Sequence, residues 1–310
     1  MARHASSLRR CHLGIDIGGS SVKLSVLDEE LVSVHEELHS LPDIVDDPAE
    51  NRAVRVEFAT RAIARSQHEF GEVSSVGVAS PGIVDPEYRR VVSLPGKLAG
   101  LQGVDWGETL GSQYRVAVIN DAHAALLGEA RLGAGRGAQD LAMLTLGTGV
   151  GGGIMLAGKL LAGRNRRAGH LGHISLDPNG EPSVFPTPGT LEWHLGEGYI
   201  VERTGGRYRS NVELLCAVRA GATSAACEWR RMVRALAVTI ASIINVLDCE
   251  RVVLGGGLVA AGGLLMDPLA RELHEVEWRP NGVSVPVVAA ALGRHSGSAG
   301  AAVFGRERST

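Results

Sequence analysis

Two short segments of this chain carry the residue types that hold phosphate. The first is Asp16-Ile17-Gly18-Gly19-Ser20-Ser21-Val22-Lys23, and the second is Gly147-Thr148-Gly149-Val150-Gly151-Gly152-Gly153. Each follows an apolar run, turns through glycines and hydroxyls, and continues into a second apolar run. Glycine lets backbone turn tightly and approach a ligand closely. Successive N–H groups and Ser or Thr hydroxyls in such turns make anion-binding concavities. Two such hairpins, far apart in sequence, could close on one polyphosphate from both sides. Gly255-Gly256-Gly257, also after an apolar run, is a third joint of this kind and could hold phosphate or admit an adenine ring near the backbone.

A carboxylate is needed where chemistry follows. Asp121 ends the apolar run Val116–Ile119 and precedes a helical pattern, which places it at the carboxyl edge of a sheet, where α/β folds bind ligands. There it could take a proton from an attacking hydroxyl, or it could simply cap the helix. Asp16, beside the first turn, would be repelled by phosphate unless Mg²⁺ or water lay between; otherwise it stabilises the turn. Lys23 points either to phosphate or to solvent.

His170 and His173 stand three apart in Ala168–His173, with Glu192, Trp193 and His194 further on. They could form a polar cup for a hydroxylated substrate, a metal site, or a bland surface loop. Substrate contact is favoured over metal because no thiol lies nearby.

These residues need elements to position them. Residues 12–17 and 22–27 read as paired strands, with Val22, Leu24 and Val26 alternating against Lys23 and Ser25. Residues 52–70 read as a helix with Val54, Phe58 and Ala62 on one face. Strands are expected at 76–79, 116–119, 141–146, 251–254 and 283–290. Helices are expected at 123–132, within 212–247, near 260–273 and at 296–304, and a long functional loop at 163–200. Strands alternating with helices imply an α/β fold. The repeated hairpin implies two related halves with a cleft between them.

Composition bounds the rest. The chain has 310 residues, 45% hydrophobic and 21% charged, and a formal net charge of −3, so no global field favours nucleic acid or an anionic membrane. Cys11, Cys216, Cys227 and Cys249 form no CxxC pair, which fits a reducing cytoplasm. The basic opening stretch, Met1 to Arg10, has no apolar run behind it long enough for a secretion signal. The apolar stretch 235–247 is too short to span a bilayer.

In this order, the motifs resemble the ROK family of repressors and sugar kinases, within the actin/hexokinase/Hsp70 superfamily. The likeness rests on Asp16–Lys23, on Asn120-Asp121-Ala122 with Gly128-Glu129, on Gly147–Gly153 and on Val253–Gly257. Ser80-Pro81-Gly82, Asp85, Ala291-Leu292-Gly293 and Gly300-Ala301-Ala302 also fit. The resemblance implies two ribonuclease H-like (actin-like ATPase) lobes around a central cleft. The first would be residues 1–118 plus 293–310, and the second 119–292.

It also implies an ATP-dependent, Mg²⁺-using carbohydrate kinase, glucokinase-like, acting on a hexose or hexose-like hydroxyl. Asp121 would be the base. Asp16, Gly18, Gly19, Ser20, Ser21, Lys23, Gly147, Thr148, Gly149, Gly151, Gly152, Gly255, Gly256 and Gly257 would hold ATP. Ser80, Pro81, Gly82, Asn120, His170, His173 and Glu192 would hold sugar. A cytoplasmic homodimer is implied, with no nucleic acid or membrane partner.

The chain also departs from the family. His170 stands where the family has a sugar-binding Glu, and Ser93 stands near a habitual Asn. The Cys-rich zinc segment expected between Pro182 and Leu191 has no Cys, leaving His173 as the one matching ligand and making structural zinc doubtful. The His at 170 favours a substrate other than plain glucose: another hexose, an amino sugar derivative or a cyclitol. A weakly catalytic sugar sensor is the alternative. A DNA-reading repressor is disfavoured because only Met1 to His12 precede the first turn.

Overall fold

The hairpin at Gly18-Gly19 begins a five-stranded sheet. In the computed structural model, which describes residues 10–41, 47–94 and 98–309, β1 (Arg10–Ile17) pairs antiparallel with β2 (Ser21–Asp28), and β2 with β3 (Ser33–Ser40). Residues 1–9 of the basic opening stretch lie outside the described residues. Helix α1 (Pro48–Glu69) leads into β4 (Glu72–Ser80), parallel to β1. The ribbon of β5 (Ile83–Val84) and β6 (Val91–Ser93) and the short α2 (Trp106–Leu110) precede β7 (Arg115–Asn120), parallel to β4; α3 (Asp121–Leu132) follows directly.

A second sheet has β8 (Leu141–Leu146), β9 (Val150–Leu156) and β10 (Lys159–Leu160) as its antiparallel part. After α4 (Leu191–Leu195), α5 (Ile200–Arg203), α6 (Asn211–Arg219) and α7 (Thr223–Leu247) comes β11 (Arg251–Gly255), parallel to β8. Helix α8 (Gly263–Val276) leads to β12 (Val287–Ala289), parallel to β11, and α9 (Ser296–Glu307) closes the chain.

The sheet orders are β3-β2-β1-β4-β7 and β10-β9-β8-β11-β12. Both consist of three antiparallel strands and then two parallel additions beside the first. The duplication first visible as two similar turns is therefore a duplication of whole ribonuclease H-like sheets. Each sheet has its own apolar core. In the first, Leu13, Ile15, Val22, Leu24 and Val26 are fully buried. In the second, Leu144, Leu236, Ile240, Val252 and Leu254 are fully buried.

The chain divides into two compact units. The first holds the described residues up to Arg136, with 163–167 and 295 onward; the second holds 137–162 and 168–294. The boundary expected at 118/119 thus moves past α3, and Asp121 belongs to the first unit. The cause is close packing of α3 on α9: a Cβ on Gly128 would stand 3.0 Å from the Gly300 nitrogen, so the two helix backbones nearly touch. Glu129 reinforces the join. It is fully buried and accepts from Ser296 Oγ at 2.7 Å and from the Ala134 amide at 2.8 Å.

Several elements differ from the pattern-based reading. Helix α1 begins earlier, at Pro48, with Asp47 accepting from the Ala49 amide at 2.8 Å. Its buried face is Asn51, Arg55, Ala59, Ala62, Ile63 and Ser66, one residue round from the face expected, so Val54 and Phe58 are only half-buried. The helical block at 212–247 is two helices, broken where Gly221 adopts a φ of 79°. The last strand shrinks to β12 because Pro286 has no N–H to give a ladder. β3 carries no sequence signal: it is an edge strand, largely exposed on both faces, and shows no apolar alternation. No helix among the described residues is long and apolar enough to cross a membrane.

Candidate active site

The parallel strands of the first unit end together. Register places Asp16 beside Ala79, Ala79 beside Ile119, and Ser80 beside Asn120. Asn120 is the N-cap of α3: its Oδ1 accepts from the Ala122 and His123 amides at 3.0 and 3.1 Å. The capping role is thereby taken, and Asp121 is the first residue inside the helix. One of its oxygens accepts from the Ala122 amide at 2.8 Å. Removal from water pushes the Asp121 carboxyl up to about 6, and the nearby Asp16 charge adds to this; the Ala122 amide and Lys23 oppose it and lose.

Asp16 and Lys23 form a hydrogen-bonded ion pair at 2.8 Å, with side chains only 11% and 20% exposed. Lys23 is therefore not a solvent-facing strand lysine. The Asp16 carboxylate packs against the first turn of α9, where a Cβ on Gly297 would stand 2.8 Å from Oδ2. Asp16 Oδ1 makes no hydrogen bond among the described residues.

In the first glycine turn, the Gly18 amide donates to Ser21 O at 2.9 Å and the Leu41 amide to Ser20 O at 2.9 Å. The Gly19 and Ser20 amides, and the hydroxyls of Ser20 and Ser21, have no partner among the described residues. The Gly18 and Gly19 carbonyls accept from Arg55, a buried residue of α1 that the sequence reading missed. An arginine in the register of the buried Asn51 and Ala59 is the signal that would have found it.

Ser80-Pro81-Gly82 forms a turn after β4. Gly82 has a φ of 100°, and its carbonyl accepts from Asn120 Nδ2 at 3.1 Å. The tie joins this turn to the residue before Asp121 and leaves the second Asn120 side-chain N–H without a partner among the described residues. Ser80 is buried, and Ser93 is exposed at the end of β6. Asp85 accepts from the Arg89 and Arg90 amides, so it stabilises its own loop.

In the second unit the Gly147 and Thr148 carbonyls accept from the Glu197 and Gly198 amides at 3.1 and 2.9 Å, and the Gly149 carbonyl from the Gly147 amide at 3.0 Å. The Thr148 and Gly149 amides have no partner among the described residues. Glu192 lies against this turn. It is buried, its Oε2 accepts from the Val150 amide at 2.9 Å, and its Oε1 is buried with no hydrogen-bond partner among the described residues. Gly151 and Gly152 belong to β9, not to the turn. Gly152 is a packing residue: a Cβ there would stand 2.7 Å from Gly169 O, so the bare backbone seats the loop that carries His170.

Gly255 pairs with Thr145 in register, and Gly256, with a φ of 90°, crowds Leu146. The Gly255–Gly257 joint and the second glycine turn therefore share one carboxyl edge. The loop 196–198 is anchored behind by Arg203, which donates to the Trp193 and Gly196 carbonyls and pairs with buried Glu228 at 2.9 Å.

The His170 and His173 rings stack with centroids 6.3 Å apart, and Phe185 meets His173 edge-on at 5.0 Å. His173 Nδ1 is buried with no hydrogen-bond partner among the described residues. Among those residues no group of three or more His, Cys, Asp or Glu could hold a metal ion. Around His173 the described residues supply a second imidazole and the Phe185 ring rather than the further His, Cys or carboxylate ligands that a structural zinc needs.

This double-sheet arrangement defines an actin-like ATPase fold. The chain belongs to the ROK family, whose sequence pattern matches residues 12–308. It is 30% identical to the glucokinase of Thermotoga maritima over 96% of this chain and 97% of that one. It is 29% identical to the N-acetylgalactosamine kinase of Shewanella sp. strain ANA-3 over 95% of this chain and 96% of that one. Its fold matches a ROK family glucokinase from Streptomyces griseus, solved with glucose and AMPPNP, with a TM-score of 0.78 at 28% identity, covering 96% of this chain and 99% of that one.

Proposed function

We propose that this chain is an ATP-dependent carbohydrate kinase that phosphorylates a hydroxyl of a hexose or hexose-like sugar. The observation that carries this is the Asp121 carboxyl, relieved of capping by Asn120, beside Asp16, and titrating at about 6. A base poised there is mostly ionised at neutral pH yet still basic enough to take a proton in the transition state. The likeness to glucokinases and to an N-acetylgalactosamine kinase supports the same reaction class.

Asp121 takes the proton of the acceptor hydroxyl as its oxygen bonds to the terminal phosphorus and the bond to the bridging oxygen of ADP breaks. The open amides of Gly19 and Ser20, and of Thr148 and Gly149, are suited to phosphate oxygens. Asp16 Oδ1 is suited to Mg²⁺, directly or through water, because this ion is usually held by one or two carboxylates besides phosphate. When bound, Mg²⁺ would neutralise charge on the terminal phosphates. Gly255–Gly257 offers bare backbone to the adenosine part.

Glu192 Oε1, buried with no donor among the described residues, is suited to accept from a sugar hydroxyl. In the first unit Asn120 Nδ2 and the Ser80–Gly82 turn, and in the second His170 and His173, are further candidates for sugar contact. Histidine at 170 can donate or accept, unlike the Glu of the family, so acetylated amino sugars and cyclitols stand beside ordinary hexoses as acceptors. We take the enzyme to be a cytoplasmic homodimer, checked by fractionation and light scattering.

The test is a donor-by-acceptor screen with coupled ADP detection across hexoses, acetylated amino sugars and cyclitols. Turnover with one class is expected. ADP formation no faster than the acceptor-free rate across the whole panel would overturn the proposal.

A further inference from the structure

All four carbonyls of the first glycine turn are occupied. Ser20 O and Ser21 O are taken by backbone amides, and Gly18 O and Gly19 O by Arg55 Nη2 at 3.3 and 2.9 Å. A trans peptide is planar, with its carbonyl and N–H pointing in opposite directions. Drawing the Gly18 and Gly19 carbonyls toward the guanidinium therefore turns the Gly19 and Ser20 N–H groups away from it, and these are the two amides of the turn without partners among the described residues.

Arg55 is only 2% exposed. Its Nη1 donates to Asn51 O and Oδ1 at 3.0 and 3.1 Å, so its hydrogen-bond acceptors are backbone carbonyls and one amide. Arg203, which also holds loop carbonyls, is paired with Glu228. Arg55 has no carboxylate among its hydrogen-bond partners in the described residues, and burial lowers its pKa. A buried charge is costly unless something of opposite sign answers it. The second glycine turn is built otherwise: neutral amides hold its carbonyls, and a carboxylate, Glu192, lies beside it.

We infer that Arg55 is a positioning residue for polyphosphate at the first glycine turn, where it holds two carbonyls back, aims the Gly19 and Ser20 amides at the anion, and supplies a positive charge behind them. This rests on the kinase reading only in taking the anion to be the phosphates of a nucleotide.

The experiment is calorimetric binding of ADP, inorganic tripolyphosphate and adenosine to the wild type, Arg55→Gln and Arg55→Lys, with kcat and KM measured for ATP. Arg55→Gln is expected to weaken ADP and tripolyphosphate on the order of tenfold, the weight of a charge-assisted hydrogen bond. Adenosine affinity stays within about twofold, and the KM for ATP rises more than kcat falls. Arg55→Lys, which keeps the charge but cannot fork across two carbonyls, recovers part of the loss. If Arg55→Gln does not fold, Arg55→Lys with a wild-type melting curve carries the test. ADP affinity equal to wild type in a folded variant, or equal losses for ADP and adenosine, would overturn the inference alone. A wild type that binds neither ADP nor tripolyphosphate would overturn the kinase reading together with it.

Discussion

Glu192 occupies the space that a side chain on Gly149 would need: a Cβ built there would stand 2.5 Å from Oε2, the oxygen that accepts from the Val150 amide. Gly149 therefore sets the position of the carboxylate as well as the shape of the turn. Gly149→Ala is expected to displace Glu192 and raise the KM for sugar by about tenfold, the weight of one charged hydrogen bond. The KM for ATP should move much less. An unchanged sugar KM in a folded variant would remove Glu192 from the sugar site.

Asp121→Asn separates chemistry from stability. With its proton acceptor gone, turnover is expected to fall by about 10²–10⁴-fold, while ADP affinity stays close to wild type. The folded carboxyl keeps its proton up to about pH 6, whereas an unfolded aspartate loses it near pH ~4. The folded state therefore binds more protons in that window, and stability falls as pH rises through it. The Asn variant escapes this penalty. It should melt a few degrees higher at pH 7.5, a gain on the order of 2 kcal/mol, and match the wild type at pH 4. A variant that melts lower at pH 7.5 would mean the ionised carboxylate stabilises the fold.

The same titration sets the pH profile of the free enzyme. With Asp121 raised to about 6, kcat/KM is expected to fall tenfold per pH unit below that value and to level above it, where the base is ionised. A profile flat down to pH 4.5 would place the essential base elsewhere.

Much of this arrangement was legible in the sequence because it is local. Glycine turns between apolar runs mark hairpins, and Asn120-Asp121 after Val116–Ile119 marks a strand ending in a helix. What was hidden depends on pairings across long stretches of chain. Arg55 reads as one more helix arginine until α1 is laid against a turn more than thirty residues earlier. Gly152 reads as part of a glycine-rich turn until Gly169 is packed on it. The edge strand β3 carries no buried face to create a pattern, and the place of Asp121 with the first unit follows from α9, which arrives at the end of the chain. The competition between Asn120 and Asp121 for the cap lies in the geometry of one turn, and residue types alone leave it open.

His170 stands where the family resemblance implies a sugar-binding Glu. Its ring stacks on His173 at 6.3 Å between centroids, so it stands on the same loop face as a second sugar-contact candidate. His170→Glu replaces a ring that can donate or accept with an acceptor-only carboxylate. The ratio of kcat/KM values across the acceptor panel is expected to shift toward ordinary hexoses by tenfold or more, the usual scale for gaining one charged hydrogen bond. An unchanged ranking would place residue 170 outside the sugar site.

Phe185 packs against the loop that carries His173. It meets His173 edge-on, while Thr190 donates to Ser183 and Ser175 to the Pro188 carbonyl at 2.9 and 2.7 Å, which closes the segment without thiolates. An aromatic pair of this kind contributes about 0.5–1.5 kcal/mol, and half of Phe185 already faces solvent, so Phe185→Ala should cost no more than about 1 kcal/mol in global stability. Its larger effect should be local, with faster amide exchange across 173–190 and a higher sugar KM as His173 loses its support. Metal analysis of the purified protein is expected to find zinc well below one per chain, and EDTA to leave the melting curve unchanged. Stoichiometric zinc that stays bound in Phe185→Ala and leaves in His173→Ala would show that the histidines hold a metal and that the ring does not take its place.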